Sequence, residues 1–180
     1  MKNKSFIVTG ASASGKSTLI NLAVNEEYIY LPTHMTRKPR LGEENNRDAI
    51  FLTNEEFEEN FKNGIYLEES LDFALLKKLG VYYGTPKSWI SFLAMNGYCA
   101  TPVSITIATK IKEKIDVMWV HLYCNDTDRY DRLVARGISL EEVEKRMISG
   151  DSINFPQNAN EIINTSYNKP TEILRKIRRL

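Results

Sequence analysis

The chain has 180 residues, 42% of them hydrophobic and 26% charged, an ordinary composition for one soluble globular domain. Lys and Arg number 24 against 23 Asp and Glu, so no global field draws the chain toward nucleic acid or a membrane surface, and no apolar run approaches membrane-spanning length. Its only two cysteines, Cys99 and Cys124, lie in apolar strand-like segments without a C-x-x-C or Cys/His cluster, and the first strand leaves no room for a signal peptide, so buried reduced thiols in a cytoplasmic protein are expected rather than a disulfide or metal site.

Ser5 to Thr9 reads as a short buried strand and Thr18 to Ala23 as the start of a helix. Between them, Gly10-Ala11-Ser12-Ala13-Ser14-Gly15-Lys16-Ser17 fits G-x-x-x-x-G-K-[ST], the phosphate-binding P-loop. The glycines let the backbone turn tightly so that successive N–H groups face one anion, and the helix N-terminus adds partial positive charge. Lys16 then reaches the outer phosphates, and the Ser17 hydroxyl is the candidate metal ligand. Without a ligand the same residues would be only a Gly/Ser-rich turn; the order strand, loop, helix favours the phosphate site.

Tyr28 to Leu31 reads as a strand and leads into a polar, basic segment from Pro32 to Arg47. Asp48 to Leu52 reads as a short strand, and Thr53-Asn54-Glu55-Glu56 is a capping box opening a helix toward Asn63. Ile65 to Phe73 and Gly80 to Tyr83 pattern as paired strands. Thr85-Pro86 has the form of an N-cap followed by proline at the first helical position, opening a helix to Met95. Tyr98 to Ser104 and Val117 to Tyr123 are apolar strands; Asn125-Asp126 caps a helix toward Arg136; Ser139-Leu140-Glu141-Glu142 is a second capping box, opening a helix to Ser149. Glu161 to Asn164 is a last strand and Thr171 to Leu180 a terminal helix. This alternation predicts an α/β fold, a parallel sheet flanked by helices. Residues from about 34 to 84 interrupt it and read as a small inserted acceptor-binding subdomain, with the core in 1–33 and 85–180.

Thr33-His34-Met35-Thr36-Arg37-Lys38-Pro39-Arg40-Leu41-Gly42-Glu43 resembles the T-T-R-x-P-R-x-G-E stretch of the guanylate kinase family of P-loop nucleoside monophosphate kinases. Asp48 with Phe51, Tyr66-Leu67-Glu68, Tyr82-Tyr83-Gly84-Thr85, Arg132-Leu133 with Arg136-Gly137, Glu141-Glu142 with Arg146, and Ile163-Asn164 continue the resemblance in order over nearly the whole chain. The resemblance implies a P-loop kinase fold with a lid at about 136–150. It implies that Arg37, Arg40 and Tyr83 hold the acceptor phosphate. Forked guanidinium groups suit that task, because two anions must approach each other. It implies that Glu68 reads a guanine edge, with Glu69 as rival, and that Thr33 and Thr85 stand near the base; for Thr85 helix capping is an equal explanation. It places Gly10 to Thr18, Arg132 and Asn164 around ATP, with Lys16, Arg136 and Arg146 offsetting charge on the transferring phosphoryl group.

Two departures stand out. Ala49 occupies the position of a second phosphate-binding tyrosine. Pro102 and Ser104 replace the carboxylates of a D-x-D strand end, with Ser104 kept as an acceptor-side candidate. Mg2+ would then rest on Ser17, ATP and water. The implied activity is transfer of the γ-phosphoryl group of ATP to GMP or dGMP, with no nucleic-acid or membrane partner. The losses also point to a relative of the same fold acting on ribose 1,5-bisphosphate. A third possibility is a non-catalytic guanylate-kinase-like interaction module, which the intact Lys16 and Ser17 disfavour. The sequence gives no oligomeric state.

Overall fold

A computed structural model describes residues 4–40, 42–67, 80–95, 97–148 and 155–179. In chain order the elements are β1 (Phe6–Thr9), α1 (Lys16–Asn25), β2 (Ile29–Tyr30), β3 (His34–Met35), β4 (Ile50–Phe51), α2 (Asn54–Lys62), β5 (Tyr83–Gly84) and α3 (Ser88–Met95). They continue with β6 (Cys99–Pro102), α4 (Ile105–Lys114), β7 (Met118–Tyr123), α5 (Asp126–Val134), α6 (Leu140–Ile148), β8 (Glu161–Asn164) and α7 (Pro170–Arg179). Five strands form one parallel sheet in the order β2-β6-β1-β7-β8.

Alternation along β1 explains why both sheet faces are covered. Phe6 and Val8 point to one face, where Leu19, Ile20 and Ala23 of α1 and Ile173, Leu174 and Ile177 of α7 complete the core. Ile7 points to the other, against Ile107, Ala108 and Ile111 of α4 and Trp119 of β7. A parallel strand buried on both sides has no polar face, which is why β1 reads as a continuous apolar run. All five strands run the same way, so the loops that follow them gather along one edge, where open α/β sheets bind ligands.

Within residues 34–84 the three short strands form a second sheet, ordered β4-β3-β5, with β3 parallel to β4 and antiparallel to β5. Phe57, Tyr66 and Tyr82 form its core, with Phe57 stacked on both partners at centroid distances of 4.6 and 5.2 Å. A Cβ on Gly84 would lie 2.7 Å from the Tyr66 ring, so this glycine is required by close approach. The strand expected over Ile65 to Phe73 falls largely on residues 68–79, outside the described residues.

The capping box at Thr53 is present in both directions. The one expected at Ser139 is half made: Glu142 N donates to Ser139 Oγ at 3.3 Å, while the Glu142 carboxylate turns to Arg146. The helix expected to open at Pro86 starts later than its local signal places it. Pro86 instead bridges to Tyr66, and α3 begins at Ser88. A long-range pairing has overridden a local helix-start signal. Asn125 stands at the N-cap of α5 without a side-chain capping bond; its amide joins Asn164 and Tyr167 instead. Among the described residues no helix is long and apolar enough to cross a membrane.

Candidate functional site

The loop from Gly10 to Gly15 joins β1 to α1 with three positive φ values, 141° at Gly10, 67° at Ala13 and 97° at Gly15. A Cβ on Gly10 would lie 2.1 Å from the Leu122 carbonyl oxygen, so only glycine passes beside β7. Outside donors hold three successive carbonyls of the loop. Arg129 Nε donates to Ser12 O at 3.1 Å, Arg132 Nη1 to Ala13 O at 3.3 Å, and Thr165 Oγ1 to Ser14 O at 3.0 Å. A trans peptide points its C=O and following N–H in opposite directions. Fixing those carbonyls from outside therefore turns the following amides away from the donors and into the loop, the arrangement that receives an anion; the Ser14 N–H meanwhile donates across the loop to Ala11 O at 3.2 Å. Lys16 Nζ lies within the same loop, donating to Gly10 O at 2.6 Å and Ala11 O at 2.8 Å.

On the acceptor side, the Arg37 fork meets Glu43 in two bonds of 2.6 and 2.8 Å, and the Arg40 backbone N–H donates to the same carboxylate at 2.8 Å. The Arg37 guanidinium lies 5.5 Å from the centroid of the Phe51 ring. Pairing of Met35 with both Phe51 and Tyr83 brings β4 and β5 alongside this turn. Burial raises the Glu43 carboxyl pKa, but the bonds from Arg37 and Arg40 outweigh it and leave the group lowered. For Arg37, burial acts downward, yet Glu43 and the Tyr83 hydroxyl raise its pKa overall. Arg37, Arg40 and Tyr83 thus share one space.

Arg136 and Arg146, the arginines of the expected lid, lie close to that space. Arg40 is lowered by desolvation and then by repulsion from Arg37 and Arg146. Arg136 is lowered by desolvation and then by Arg146, with Glu43 acting in the opposite sense. Arg146 Nη1 also reaches Ser12 Oγ at 3.4 Å, braced by Glu142 at 2.7 Å. Cations crowd together at this cost only where something anionic repays it. Arg37, Arg40, Arg136 and Arg146 thus concentrate positive charge around Glu43 and beside Ser12 of the loop, an environment that suits an anion.

Other candidates are placed less directly. Arg132 is turned to Thr165, bonding its Oγ1 at 2.9 Å and its carbonyl at 3.1 Å. The Asn164 amide bonds Asn125 at 3.0 Å and accepts from Ser166 N at 2.9 Å. Thr33 Oγ1 donates to Pro102 O at 3.1 Å, and Thr85 is buried just beyond β5. Ser104 Oγ caps α4, accepting from Ile107 N at 3.3 Å. Glu68 and Glu69 lie outside the described residues. At Ala49 the side chain is buried, and the Tyr30 hydroxyl donates to the adjoining Asp48 carbonyl at 2.8 Å.

Three residues that the sequence patterns gave no role also hold these elements, Glu43 although it stands in the quoted T-T-R-x-P-R-x-G-E stretch. Glu43 organises both acceptor arginines, Thr165 joins loop to lid-side arginine, and the buried Arg129 holds the loop from behind. Arg129, Arg132 and Arg136 recur at helical spacing, the one signal that could have flagged the first.

For a metal, Ser17 and Thr18 are exposed at the start of α1, beside the loop. Ser14 Oγ is buried with no hydrogen-bond partner. Among the described residues no group of three or more His, Cys, Asp or Glu could hold an ion. A hydroxyl oxygen beside a triphosphate site fits a hard cation that keeps most of its waters.

A family model described as guanylate kinase matches residues 2–163. A guanylate kinase of Aster yellows witches'-broom phytoplasma (strain AYWB) is 34% identical over 142 residues, covering 75% of this chain and 64% of that protein. One from Protochlamydia amoebophila (strain UWE25) is 30% identical, covering 98% of this chain and 90% of its own length. The crystal structure of guanylate kinase from Anaplasma phagocytophilum superposes with a TM-score of 0.63 at 19% identity, over 98% of this chain and 82% of that one. This last likeness concerns the fold.

Proposed function

This chain belongs to the guanylate kinase family, and from that premise we propose that it transfers the γ-phosphoryl group of ATP to GMP or dGMP, giving ADP and the nucleoside diphosphate. The observation that carries the proposal is the convergence of two arginine pairs, Arg37 with Arg40 and Arg136 with Arg146, on one space beside the phosphate loop. Donor and acceptor are both anions, and direct transfer requires their phosphates in line and in contact. Catalysis then consists of positioning and charge compensation, with no covalent intermediate.

In this reading the loop amides and Lys16 cradle the ATP phosphates. Lys16 leaves its carbonyl partners on the loop for the phosphate oxygens. Arg37, Arg40 and Tyr83 hold the acceptor phosphate, with Glu43 fixing the Arg37 fork. Arg136 and Arg146 act from the lid, about residues 136–150, on the charge spread over the transferring group. Glu68 is assigned to the guanine edge, with Thr33 and Thr85 beside it. Ser104 is assigned to the acceptor side through its place at the β6–α4 turn rather than through a free hydroxyl, and Arg132 and Asn164 to the adenosine side of ATP. We assign Mg2+ as the metal, held by Ser17; when bound it neutralises charge between the outer phosphates. We place the reaction in the cytoplasm, where the free thiols of Cys99 and Cys124 would stay reduced.

The test is ADP release by the purified protein with ATP, Mg2+ and a panel of GMP, dGMP, AMP, CMP, UMP and ribose 1,5-bisphosphate. Turnover with GMP and dGMP is the expected result. Turnover with ribose 1,5-bisphosphate alone would overturn the acceptor assignment, and none with any acceptor would overturn the kinase.

A further inference from the structure

Arg129 lies on the inward face of α5 and is 2% exposed. Its Nε donates to the Ser12 carbonyl at 3.1 Å, one terminal nitrogen to the Met147 carbonyl at 3.4 Å, and the other to the Arg146 carbonyl. One guanidinium thus joins the phosphate loop to the last turn of α6. Carbonyls at a helix C-terminus lack intrahelical partners and carry partial negative charge, so a cation there is both attracted and satisfied. Leu133, one turn further along α5, packs with Ala13 and Val143 in the same seam. An apolar side chain at position 129 would extend that seam without the cost of desolvating a charge. A planar fork does what an apolar residue cannot: it fixes the distance and angle between two chain segments.

Those segments carry the chemistry. Ser12 is held at its carbonyl by Arg129 and contacted at its hydroxyl by Arg146, the lid arginine whose own carbonyl Arg129 binds. We infer that Arg129 is a positioning residue that sets the register between the phosphate loop and the lid helix, so that Arg146 is placed over the transferring phosphoryl group. This rests on the phosphotransferase reading above. Loss of the fork removes one of three outside donors to the loop, but Arg132 and Thr165 still hold Ala13 O and Ser14 O, so the loop keeps most of its shape while α6 is free to shift against it. The consequence falls on kcat, through a misplaced Arg146, more than on the binding of ATP by the loop amides and Lys16.

A double-mutant cycle tests this, measuring kcat, KM for ATP and thermal unfolding in the parent, Arg129→Met, Arg146→Ala and the double variant. Arg129→Met should lower kcat about 10-fold or more while KM for ATP stays within about 3-fold. In the Arg146→Ala background the same substitution should lower kcat by no more than about 2-fold, because its effect passes through Arg146. Hydrogen exchange in α6 and in residues 11–14 should quicken together in the nucleotide-free Arg129→Met protein. Equal losses in both backgrounds, or an unchanged kcat, would overturn the inference. Should Arg129→Met fail to fold, Arg129→Lys carries the same cycle, since a point charge cannot span both segments as a fork does. Failure of both to fold would make Arg129 a purely structural residue. A parent enzyme inactive toward every acceptor fells the kinase reading and the inference together, whereas an active parent with an additive cycle fells the inference alone.

Discussion

Around the phosphate loop the restraining contacts come from far along the chain: Arg129 reaches Ser12 across 117 residues and Thr165 reaches Ser14 across 151. Around Arg37 and Arg40 the ion-pair partner comes from nearby, with Glu43 six residues from Arg37 and three from Arg40, and the longer-range neighbours Phe51 and Tyr83 belong to the same small sheet. The donor loop also stands at the end of a parallel sheet covered on both faces, whereas the acceptor turn hangs on strands of two residues and a cluster of three buried aromatic rings. Contacts tied to the main core are lost only when the core opens; local ones can rearrange at smaller free-energy cost. The comparison teaches that the phosphate loop is held by the main core while the Arg37–Glu43 turn is held within a small sheet, which on the proposed reading sets a preformed donor site against an adjustable acceptor site.

Lys16→Ala is the strongest way to break this comparison. If outer donors shape the loop, losing Lys16 should leave the fold in place and remove charge from ATP alone. Turnover should fall on the order of 100-fold or more, with a melting temperature close to the parent's. Near-normal turnover in the folded variant would reject Lys16 as a phosphate ligand, and a collapsed melt would show the loop to depend on Lys16 after all.

Arg37→Ala addresses the other side. A charge-assisted bond to phosphate is worth roughly 1.5–3 kcal/mol, so acceptor affinity should fall about 10- to 150-fold. ATP affinity should change by no more than about 2-fold. Separate titrations of nucleotide and acceptor check this. Equal weakening of both would mean that donor and acceptor halves are not independent.

The two halves were unequally legible from sequence, for the same physical reason. Local signals read well: the Thr53 capping box, the strand at Glu161–Asn164 and the phosphate loop between β1 and α1 all lie where their patterns place them. Signals decided by distant partners did not. Thr85-Pro86 has every local mark of a helix start, yet Pro86 pairs with Tyr66 and the helix waits until Ser88. Arg129 reads as one more helix-surface cation, because nothing in its neighbours tells that its partners are carbonyls in the loop and in α6. Asn125 occupies its predicted cap position while its side chain is taken by Asn164 at the end of β8 and Tyr167 just after it. Position along the chain was readable; allocation of side-chain hydrogen bonds was a tertiary matter.

Glu43→Gln sharpens the comparison from the acceptor side. The neutral amide keeps the shape but loses the charge that holds the Arg37 fork, so acceptor affinity should drop about 3- to 10-fold while ATP binding is unmoved. Its pH signature has a definite sign. Because the folded-state pKa is lowered, the carboxylate's contribution to stability is fully present above the unfolded value of about 4.3. It is lost as the pH falls through the lower folded value. The difference in urea midpoint between parent and variant should therefore be constant from neutral pH to about 5 and shrink below about 4.3. A difference that persists unchanged into strong acid would assign the variant's defect to shape rather than charge.

The smallest expected effect belongs to Ala13→Gly, and it bears directly on what shapes the donor loop. Ala13 holds a φ of 67°, a left-handed backbone without the freedom of glycine. Relief of that strain is worth about 1–2 kcal/mol. Against it stand the larger unfolded-state entropy of glycine, about 0.5–1 kcal/mol, and the loss of a buried methyl that packs on Leu133 and Val143, about 0.8 kcal/mol. The opposing terms nearly cancel, so the melting temperature should move by no more than a few degrees. The decisive measurement is turnover. If Arg129, Arg132 and Thr165 fix the carbonyls of residues 12 to 14 from outside, a more permissive residue at position 13 leaves the inward amides where they are, and kcat stays within about 3-fold. A fall of more than about 10-fold with an unchanged melt would mean that the left-handed alanine and its seat on the lid seam, rather than the distant donors, set the geometry of the loop. The donor half would then be as locally determined as the acceptor half.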